Sequence, residues 1–373
     1  MKLHRMPHLV QRMILEELGF DERFFLSFTS KRTCSLLGLF RPDFKGISIT
    51  INISKSKVSV RVQKPRAPRI PDVINEWEFN IPYKQYLMND SPIWKIDGTA
   101  VQVEKYDSTI LCCGLIDERV GSDTTSNSFV VFGKVLRHLN SVLNIERCQL
   151  CEFDMTIPVG LIPQLDFNFY YGRIDFLSGD SMFMTLEDLT VLLENIKTKQ
   201  LCLIDIVLSV PGYKYQKNPE KKSSIDCLKI RNFDWVDFPE LPAAKRIIIS
   251  RKIEMDQMNM VLTSWVAGRN REIEIGEFET DEFSDRNRET IYTGIETHAP
   301  QLTKAEITSF FDSSQHSLNL RLLRNIVAVD ILRESDGIRA TIIEAAMESH
   351  VNQKLFVFVW SDSNLRTIGR ANN

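Results

Sequence analysis

Two cysteines separated by two residues, Cys148 and Cys151, have the spacing of a metal or redox motif. As half of a zinc site they need a second pair of Cys or His ligands, and none follows at a suitable spacing. A redox pair opens a helix, whose dipole lowers the thiol pKa, whereas these residues lie in a strand-like run. We therefore expect ordinary buried or edge cysteines. The adjacent Cys112 and Cys113 are equally unremarkable, because neighbouring strand residues point to opposite faces.

No other set of residues has the spacing of a catalytic or metal site. The six histidines are scattered, without HExxH or HxH spacing. The sequence has no nucleophile elbow, no phosphate-binding loop and no dinucleotide-binding glycine motif. The acidic residues of 272–285 are explained by a strand edge and a charged, solvated loop. We therefore predict no catalytic residue, no metal and no cofactor.

The turn at 269–271 is the strongest candidate for a binding site in the second half of the chain. The segment 262–271 is typical of the end of an amphipathic helix, a glycine at C′ and a polar turn into a strand. Trp265 is then expected to be a core anchor between helix and sheet. Because such a turn exposes its donors, Arg269, Asn270 and Arg271 are candidate target-binding residues.

Two further segments have simpler explanations than ligand binding. The segment 64–71 (KPRAPRIP) could bind an SH3-type domain, but a rigid surface loop between strands is the favoured interpretation. The basic insertion at 214–222 lacks interleaved aromatic residues, so it is a poor nucleic-acid site.

The first forty residues must form a small helical module. Pro7 suits a first helical turn, Gly19 can end that helix, Asp21 can cap a second and Ser30 a third, which Pro42 stops. Almost half of this stretch is apolar, and it is too short to have a good core of its own. A partner is therefore expected to dock on it.

The rest of the chain alternates between strand and helix patterns. Strict alternation over 47–53 and 58–62 predicts a β-hairpin, and three more strand-like runs follow. From about residue 130, short helices precede short strands at roughly leucine-rich-repeat spacing. The last segment predicts antiparallel strands around a turn at 335–337. The predicted strands after the hairpin are 77–81, 93–103, 109–115, 145–153, 201–208, 226–230, 246–250, 272–275, 326–332, 338–343 and 355–360. The predicted helices are 135–143, 186–196 with Thr185 as N-cap, and 255–266, and 121–127 is predicted to be a polar loop.

These patterns predict an α/β (α+β) protein with three parts. A three-helix N-terminus (1–46) precedes a β-rich connecting segment (47–132) and an irregular, leucine-rich-repeat-like helix–strand layer (133–373). Composition is that of a soluble globular protein, with 43% hydrophobic and 25% charged residues and a net charge of −3. Neither nucleic acid nor an anionic membrane is an expected partner.

The sequence also indicates the cellular compartment and the relation of the chain to membranes. No apolar run approaches the roughly 20 residues of a membrane span, and charged residues interrupt any signal-peptide core near the start. The odd number of cysteines, seven, suits a reducing compartment. A cytoplasmic and/or nuclear location is the expectation.

Two parts of the sequence carry a family resemblance. The segments 6–10 (MPHLV), 13–15 and 23–32 (RFFLSFTSKR) resemble an F-box, in particular those of the large nematode set. The segments 246–250 (RIIIS) and 265–270 (WVAGRN) resemble the type 2 F-box-associated (FBA_2) domain. The segments 329–333, 336–337, 339–342 and 356–360 resemble the tail of those proteins. Together the two resemblances cover most of the chain.

The resemblance implies a substrate-recognition adaptor of an SCF-type (Skp1–cullin–F-box) ubiquitin ligase, a non-catalytic subunit of the ubiquitin-conjugation pathway. The F-box would bind a Skp1-type protein and through it a cullin, while 133–373 would bind an unknown target protein. Many F-boxes carry a Trp in the third helix, where this chain has Cys34 and Leu36. The match to the motif gives nine Skp1-facing residues, some of which will instead form the internal core of the three helices. They are Pro7, Leu9, Val10, Ile14, Leu15, Leu18, Phe24, Leu26 and Ser27.

Two alternatives to the ligase adaptor stay open. The chain could be a Skp1-binding scaffold or protein-interaction module that recruits no cullin. It could also be an uncharacterised enzyme housed in the α/β portion, because catalytic geometry is spatial and a missing motif is weak evidence. A deep polar pocket around Cys148, His138 or the 269–271 turn would favour the enzyme.

Overall fold

The computed structural model divides the chain into two compact units, which we call the N-terminal unit (Met1–Phe176 with Asn195–Thr198) and the C-terminal unit (Leu177–Glu194 with Lys199–Asn373). Each unit is described below by itself. The residues that the structure describes are 3–40, 48–53, 57–64, 72–80, 93–96, 99–106, 109–115, 124–142, 147–153, 159–165, 169–175, 183–221, 224–280, 283–313, 323–347 and 353–369.

The N-terminal unit begins with the predicted three helices, preceded by a 3-10 turn at Leu3–Arg5. They are α1 (His8–Glu17), α2 (Phe20–Ser27) and α3 (Lys31–Leu39). Among the side chains that the structure describes, the buried apolar ones of this small core are Leu15, Phe24, Leu36 and Leu37.

Helix capping is as predicted at Ser30 and different at Gly19. Ser30 Oγ accepts a hydrogen bond from the backbone N–H of Thr33 at 3.0 Å, so this N-cap is confirmed. Gly19 has an extended backbone (φ −66°) and is itself the N-cap of α2. Its N–H donates to Glu22 Oε2 at 2.8 Å, which is half of a capping box. The predicted cap at Asp21 was therefore wrong.

Parallel and antiparallel strands and one long helix complete the N-terminal unit. The elements are β1 (Ser48–Ile53), β2 (Lys57–Lys64), β3 (Asp72–Asn80), β4 (Ile93–Ile96), β5 (Thr99–Tyr106), β6 (Thr109–Leu115), α4 (Thr124–Val142), β7 (Arg147–Phe153), a 3-10 segment (Val159–Leu165) and β8 (Phe169–Asp175). The predicted hairpin is confirmed as the antiparallel pair β1–β2, and β7 pairs in parallel with both β1 and β8. The strand order in this unit is β8-β7-β1-β2-β3-β6-β5-β4.

Helix α4 begins eleven residues before its predicted start at residue 135 and includes 124–127, which were predicted to be a loop. Its apolar stripe runs through Phe132, Val135, Leu136 and Leu139, all buried. The polar residues of its first turn carry no apolar periodicity, so the pattern alone could not extend the helix to Thr124.

The elements of the C-terminal unit are α5 (Leu186–Glu194), β9 (Thr198–Ile204, all but its first residue in this unit), β10 (Cys227–Ile230), a 3-10 turn (Phe238–Glu240), β11 (Arg246–Ile253), α6 (Met255–Val266), β12 (Ile275–Thr280), α7 (Asp285–Ile291), α8 (Lys304–Ser313), β13 (Leu323–Leu332), β14 (Arg339–Met347), β15 (Gln353–Val359) and α9 (Asp362–Thr367). The strands of this unit lie in the order β9-β10-β11-β12-β15-β14-β13. β9 to β12 pair in parallel, and β12, β15, β14 and β13 pair antiparallel, so the predicted C-terminal antiparallel strands are confirmed.

Mixed helices and a large sheet confirm the predicted α/β class. The predicted alternation of helix and strand is seen where α4 precedes β7, α5 precedes β9 and α6 precedes β12. The predicted boundaries of α6 are met at both ends. The side chain of Thr185 accepts from the N–H of Asp188 at 3.1 Å, as expected for the N-cap of α5.

Two strand boundaries differ from the prediction for a backbone reason. β9 ends at Ile204 rather than at residue 208 because Asp205 has a left-handed backbone, φ 51°. β12 begins at Ile275 rather than at residue 272 because Asn270 is also left-handed and the N–H of Ile273 bonds to its carbonyl at 3.2 Å. A polar turn therefore occupies the first residues of the predicted strand.

Candidate functional site

An apolar surface covers one side of α1. Leu9 is 68% exposed, Met13 is 60% exposed and Val10 is 38% exposed. Because Leu9 and Met13 are four residues apart, they are neighbours on one face of the helix, with Val10 beside them. We call these three residues the α1 ridge. Apolar side chains this exposed, and this close together, are typical of a surface that a partner covers.

The opposite side of α1 builds the core of the module. Leu15 is fully buried, and Gln11, which is also buried, donates from Nε2 to the carbonyl of Met6 at 2.8 Å. The helix is therefore amphipathic, with its core side and its ridge on different faces.

The structure separates the nine predicted Skp1-facing residues into three groups. Exposed residues are Pro7, Leu9 and Val10; half-buried residues are Ile14, Leu18 and Leu26; and buried residues are Leu15, Phe24 and Ser27. The buried three shape the module from inside. Met13, which the motif match did not include, is the second most exposed apolar side chain of α1.

Arg23 is a structural residue whose role the sequence reading missed. Its side chain is 1% exposed. Its Nε donates to the carbonyl of Leu18 at 3.0 Å, its Nη1 to that of Phe40 at 3.1 Å and its Nη2 to that of Leu15. Burial lowers the pKa of Arg23, but a guanidinium stays charged in proteins. One cation thus satisfies carbonyls at the C-terminal ends of α1 and α3, where helix dipoles favour positive charge.

A three-layer aromatic stack joins the helical module to the rest of the N-terminal unit. The ring of Phe28 lies between Trp94 of β4 (centroids 4.9 Å apart, 25°) and His138 of α4 (4.3 Å, 15°). Phe24 meets Phe28 edge-on at 4.7 Å. Helices α3 and α4 also approach closely, since a Cβ placed on Gly38 would lie 3.4 Å from the carbonyl of Ser141. The module is therefore packed on β4 and α4 rather than tethered by a linker.

His138 also contacts Ser27. Ser27 Oγ lies 2.6 Å from His138 Nε2, and its hydroxyl is also within hydrogen-bond distance of the carbonyl of Phe24. Ser27 is thus a hydrogen-bonded core residue, and Cys34 Sγ lies 4.0 Å from His138 Nδ1.

A cavity of about 740 Å³ opens beside this stack, and Ser27, Cys34 and His138 are part of its lining. This is a polar pocket of the kind that would favour an enzyme, at one of the three places named for it. Cys148, another of the three named places, is buried in β7, as predicted for an ordinary strand cysteine.

The turn at 265–271 is built around internal contacts. Gly268 has φ +83°, and a Cβ on it would meet Ser335 Oγ at 2.8 Å, so glycine is required there. Trp265 is 1% exposed, which confirms the predicted core anchor. Arg271 Nε donates to the carbonyl of Gly268 at 2.8 Å.

Asn270 holds a neighbouring segment instead of facing solvent. It is buried, its Oδ1 accepts from the N–H of Leu241 at 3.0 Å, and its Nδ2 donates to the carbonyl of Pro239 at 3.3 Å. Of the three candidate target-binding residues, Arg269 and Arg271 lie at the surface.

The C-terminal segments that carry the sequence resemblance contain a buried polar network. Asp330 is fully buried, with Oδ2 accepting from Arg339 Nη1 at 2.9 Å and from the N–H of Gln301 at 3.0 Å. Its Oδ1 accepts from Thr341 Oγ1 at 2.7 Å, and Trp360 Nε1 donates to the same hydroxyl at 3.0 Å. These residues of the tail therefore satisfy one another.

Arg333 connects the turn after α6 with the C-terminal segment that contains Asp330. Its guanidinium lies 5.2 Å from the ring centroid of Trp265 and pairs with Asp336, with Nη2 and Oδ2 2.8 Å apart. The hydrogen bond from Arg333 lowers the pKa of the Asp336 carboxyl. The N–H of Glu334 donates to the carbonyl of Val266 at 2.9 Å. The segments that carry the sequence resemblance in this unit thus hold the end of α6 against the β13–β14 turn.

Comparison with known proteins identifies the N-terminal module. Residues 3–45 match the F-box domain, a class of module that generally binds Skp1 and, through it, a cullin. The chain therefore carries an F-box at its N-terminus, as the sequence resemblance predicted. No curated protein and no solved structure matches the chain. Within the described part of the chain, no helix is both long and apolar enough to cross a membrane.

Proposed function

We propose that this protein is the substrate-recognition subunit of an SCF-type ubiquitin ligase. Its F-box binds a Skp1-type protein through the α1 ridge and thereby joins a cullin, in the cytoplasm or nucleus. The observation that carries the proposal is the F-box at residues 3–45, combined with the exposure of Leu9, Val10 and Met13. F-box proteins in general act as non-catalytic adaptors.

The α1 ridge supplies the energy that such a contact needs. Burying one leucine- or methionine-sized side chain contributes about 1.5–3 kcal/mol. A few clustered apolar anchors dominate most protein interfaces. We assign the Skp1 contact to Pro7 and the α1 ridge, with the half-buried Ile14, Leu18 and Leu26 at its border. Leu15, Phe24 and Ser27 support this surface from the core.

Co-expression of the full chain with a Skp1-type protein, followed by pull-down, tests the proposal. The double variant Leu9→Asp/Met13→Asp places two charges on the α1 ridge and is expected to abolish co-purification, because a buried unpaired carboxylate is costly. Met260→Asp is the matched control, since Met260 is 47% exposed on α6 in the C-terminal unit. Failure of the wild-type chain to bind, or equal loss in the control, would contradict the proposal.

The same pull-down separates the ligase adaptor from a scaffold. If the Skp1-bound protein also brings down a cullin, the ligase assignment is supported. If Skp1 binds and no cullin follows even when cullin is supplied in excess, the chain acts as a Skp1-binding scaffold.

We further propose that residues 133–373 form the target-recruiting part, of the type 2 F-box-associated class found in the nematode set. The resemblance of its motif segments supports this, and their network around Asp330 and Arg333 provides a rigid frame. Arg269 and Arg271 are exposed at the end of α6 on this frame. We assign them to the contact with the target protein.

Proximity labelling of the tagged full chain, compared between wild type and variants, tests the assignment of the two arginines. Arg269→Glu/Arg271→Glu is expected to remove specific labelled proteins while Skp1 labelling stays unchanged. Arg251→Glu/Arg366→Glu reverses two exposed arginines of the same unit and serves as the charge-matched control. Unchanged target labelling in the first variant would exclude the turn as the contact.

A further inference from the structure

A small apolar cavity lies in the C-terminal unit, in the loops that follow two of its parallel strands. Its volume is about 210 Å³. The lining comes from the segment after β9, from the loop after β10 and from Phe183, which precedes α5. Ligands of sheets with parallel strands commonly bind outside the carboxyl ends of those strands. We call this cavity the Trp235 pocket.

Buried side chains form the base of the Trp235 pocket. Ile206, Leu208 and Trp235 line it and are all buried. Leu208 is paired with Met184 in a short parallel bridge, and the N–H of Tyr215 donates to the carbonyl of Trp235 at 2.8 Å. Both segments of the base are thus held by backbone hydrogen bonds, so the pocket is preformed.

The rim of the pocket is apolar and exposed. Phe183 is 56% exposed, Val210 is 47% exposed and Val207 is 44% exposed, and all three belong to the lining. Single exposed apolar side chains are ordinary, whereas three around one cavity form a patch of the kind that binding partners cover.

The size of the pocket favours a side chain over a small-molecule ligand. Pockets for small molecules have volumes of roughly 300–1,000 Å³, whereas a cavity of about 150 Å³ already holds a benzene ring. A volume of about 210 Å³ therefore suits one large apolar side chain. The exposed rim then contacts the chain on either side of that residue.

Asp234 gives the pocket its charge. It is the charged residue among the described lining residues and is exposed. Lys214 Nζ donates to the backbone carbonyl of Asp234 at 2.8 Å rather than to its carboxylate, which makes no ion pair with any residue that the structure describes. A carboxylate at the edge of an apolar pocket favours a cation beside the inserted side chain, by charge complementarity.

The loop that contributes Trp235 also reaches the turn assigned above to target binding. The N–H of Leu241, in the same loop, donates to Asn270 Oδ1 at 3.0 Å. Asn270 lies between Arg269 and Arg271 in the chain. The pocket and the turn are thus connected through one hydrogen-bonded loop.

We propose that the Trp235 pocket binds a segment of a partner protein that presents a large apolar side chain next to a lysine or arginine. The apolar side chain fills the pocket between Phe183, Val210 and Trp235, and its basic neighbour pairs with Asp234. The inference rests on the proposed function only in naming this partner as the target of the ligase.

Selection of random peptides displayed on phage against the immobilised full chain tests the proposal. We expect the enriched peptides to share a leucine, phenylalanine or tryptophan with a neighbouring lysine or arginine. A labelled synthetic copy of the most enriched peptide then gives the affinity by fluorescence polarisation. Failure to enrich any such pattern would overturn the proposal.

Val210→Asp places a carboxylate on the rim and should weaken binding of this peptide about tenfold or more, because the apolar contact is lost. Met260→Asp makes the same change at an equally exposed position of α6, 47% in both cases, and should change the affinity by about twofold or less. Phe183→Ala, which only shortens an exposed rim residue, should also weaken binding and serves if Val210→Asp fails to fold. Equal affinities of the rim variants and the Met260 control would contradict the site.

Reversing the charge of Asp234 tests the second half of the proposal. A selection against Asp234→Lys should enrich aspartate or glutamate in place of the basic neighbour, whereas Glu289→Lys, at an exposed position of α7, should keep the basic preference. An unchanged preference in Asp234→Lys would exclude the pairing. Skp1 pull-down with the same variants should be unaffected, so loss of peptide binding with Skp1 binding intact separates this site from the F-box contact.

Discussion

Several buried polar residues of this protein decide local structure more than its exposed charges do. Arg23 is the clearest case, because a single guanidinium donates to three backbone carbonyls, at Leu15, Leu18 and Phe40. Helix C-termini leave carbonyls without intrahelical partners, and burial without a donor is costly. The ends of α1 and α3 are therefore held by a residue of α2.

Replacing Arg23 by methionine tests this role. Arg23→Met retains apolar volume but removes the guanidinium donor from three carbonyls, of which only that of Leu15 keeps another bond, from the N–H of Leu18. We expect the F-box helices to lose about 3 kcal/mol of stability. Hydrogen exchange of the α1–α3 amides in the full chain measures the loss. Arg32→Met, at an exposed position of α3, is the control and should change exchange little. Equal effects of the two variants would contradict the role of Arg23.

Glu277 shows why such residues escape a reading of the sequence. Its acidic neighbourhood predicts a solvated face, yet the side chain is buried and accepts from Arg246 at 3.2 Å and Lys354 at 2.6 Å. Lys354 lies 77 residues away in the sequence. The pairing depends on the β11–β12–β15 order, which no local pattern reveals.

Among the helices and strands, those with a clear apolar periodicity were predicted from the sequence, and several short helices were missed. Helix α6 and the hairpin β1–β2 have clear apolar periodicity, and both are confirmed. Helices α7 and α9 are seven and six residues long, too short for a periodic stripe to show, and were missed. Capping was the available signal, since Ser284 Oγ and Ser361 Oγ each accept from the N–H three residues on.

Helix α8 carried a stronger signal that was also missed. Thr303 and Glu306 form a capping box, in which the N–H of Thr303 donates to Glu306 at 2.7 Å and the N–H of Glu306 to Thr303 Oγ1 at 3.3 Å. The T-x-x-E pattern is readable in the sequence.

The sequence predicted which helices hold the candidate docking site, but not which of their side chains lie at the surface. Sequence placed the Skp1 contact within the F-box helices, and the motif match combined core and surface residues. Leu9 and Leu15 look equivalent in the sequence, yet the first is 68% exposed and the second is fully buried. Only the packing of α2 and α3 against α1 separates them. Three helices of this length can be rotated in more than one way while keeping their periodicity.

For the whole molecule, the main consequence is that the F-box is part of a larger unit. The F-box match covers residues 3–45, and the compact N-terminal unit that contains it extends to Phe176. Phe28 of the F-box is stacked between Trp94 and His138, and Ser27 bonds to His138. An F-box held in this way keeps a fixed orientation relative to β4 and α4 of the N-terminal unit.

The isolated segment 1–46 is therefore expected to be only marginally folded. Without Trp94 and His138, the rings of Phe25 and Phe28 lose their partners, and a segment of this size buries too little surface to offset its chain entropy. Far-UV circular dichroism should show a cooperative thermal transition for the full chain and a shallow, low-helicity profile for 1–46. In the full chain, Phe28→Ala should increase amide exchange in α2 and α3, while Phe183→Ala, an exposed phenylalanine of the C-terminal unit, should not. A cooperative, fully helical 1–46 fragment would show instead that the helices are stable alone, and that the aromatic stack only orients them.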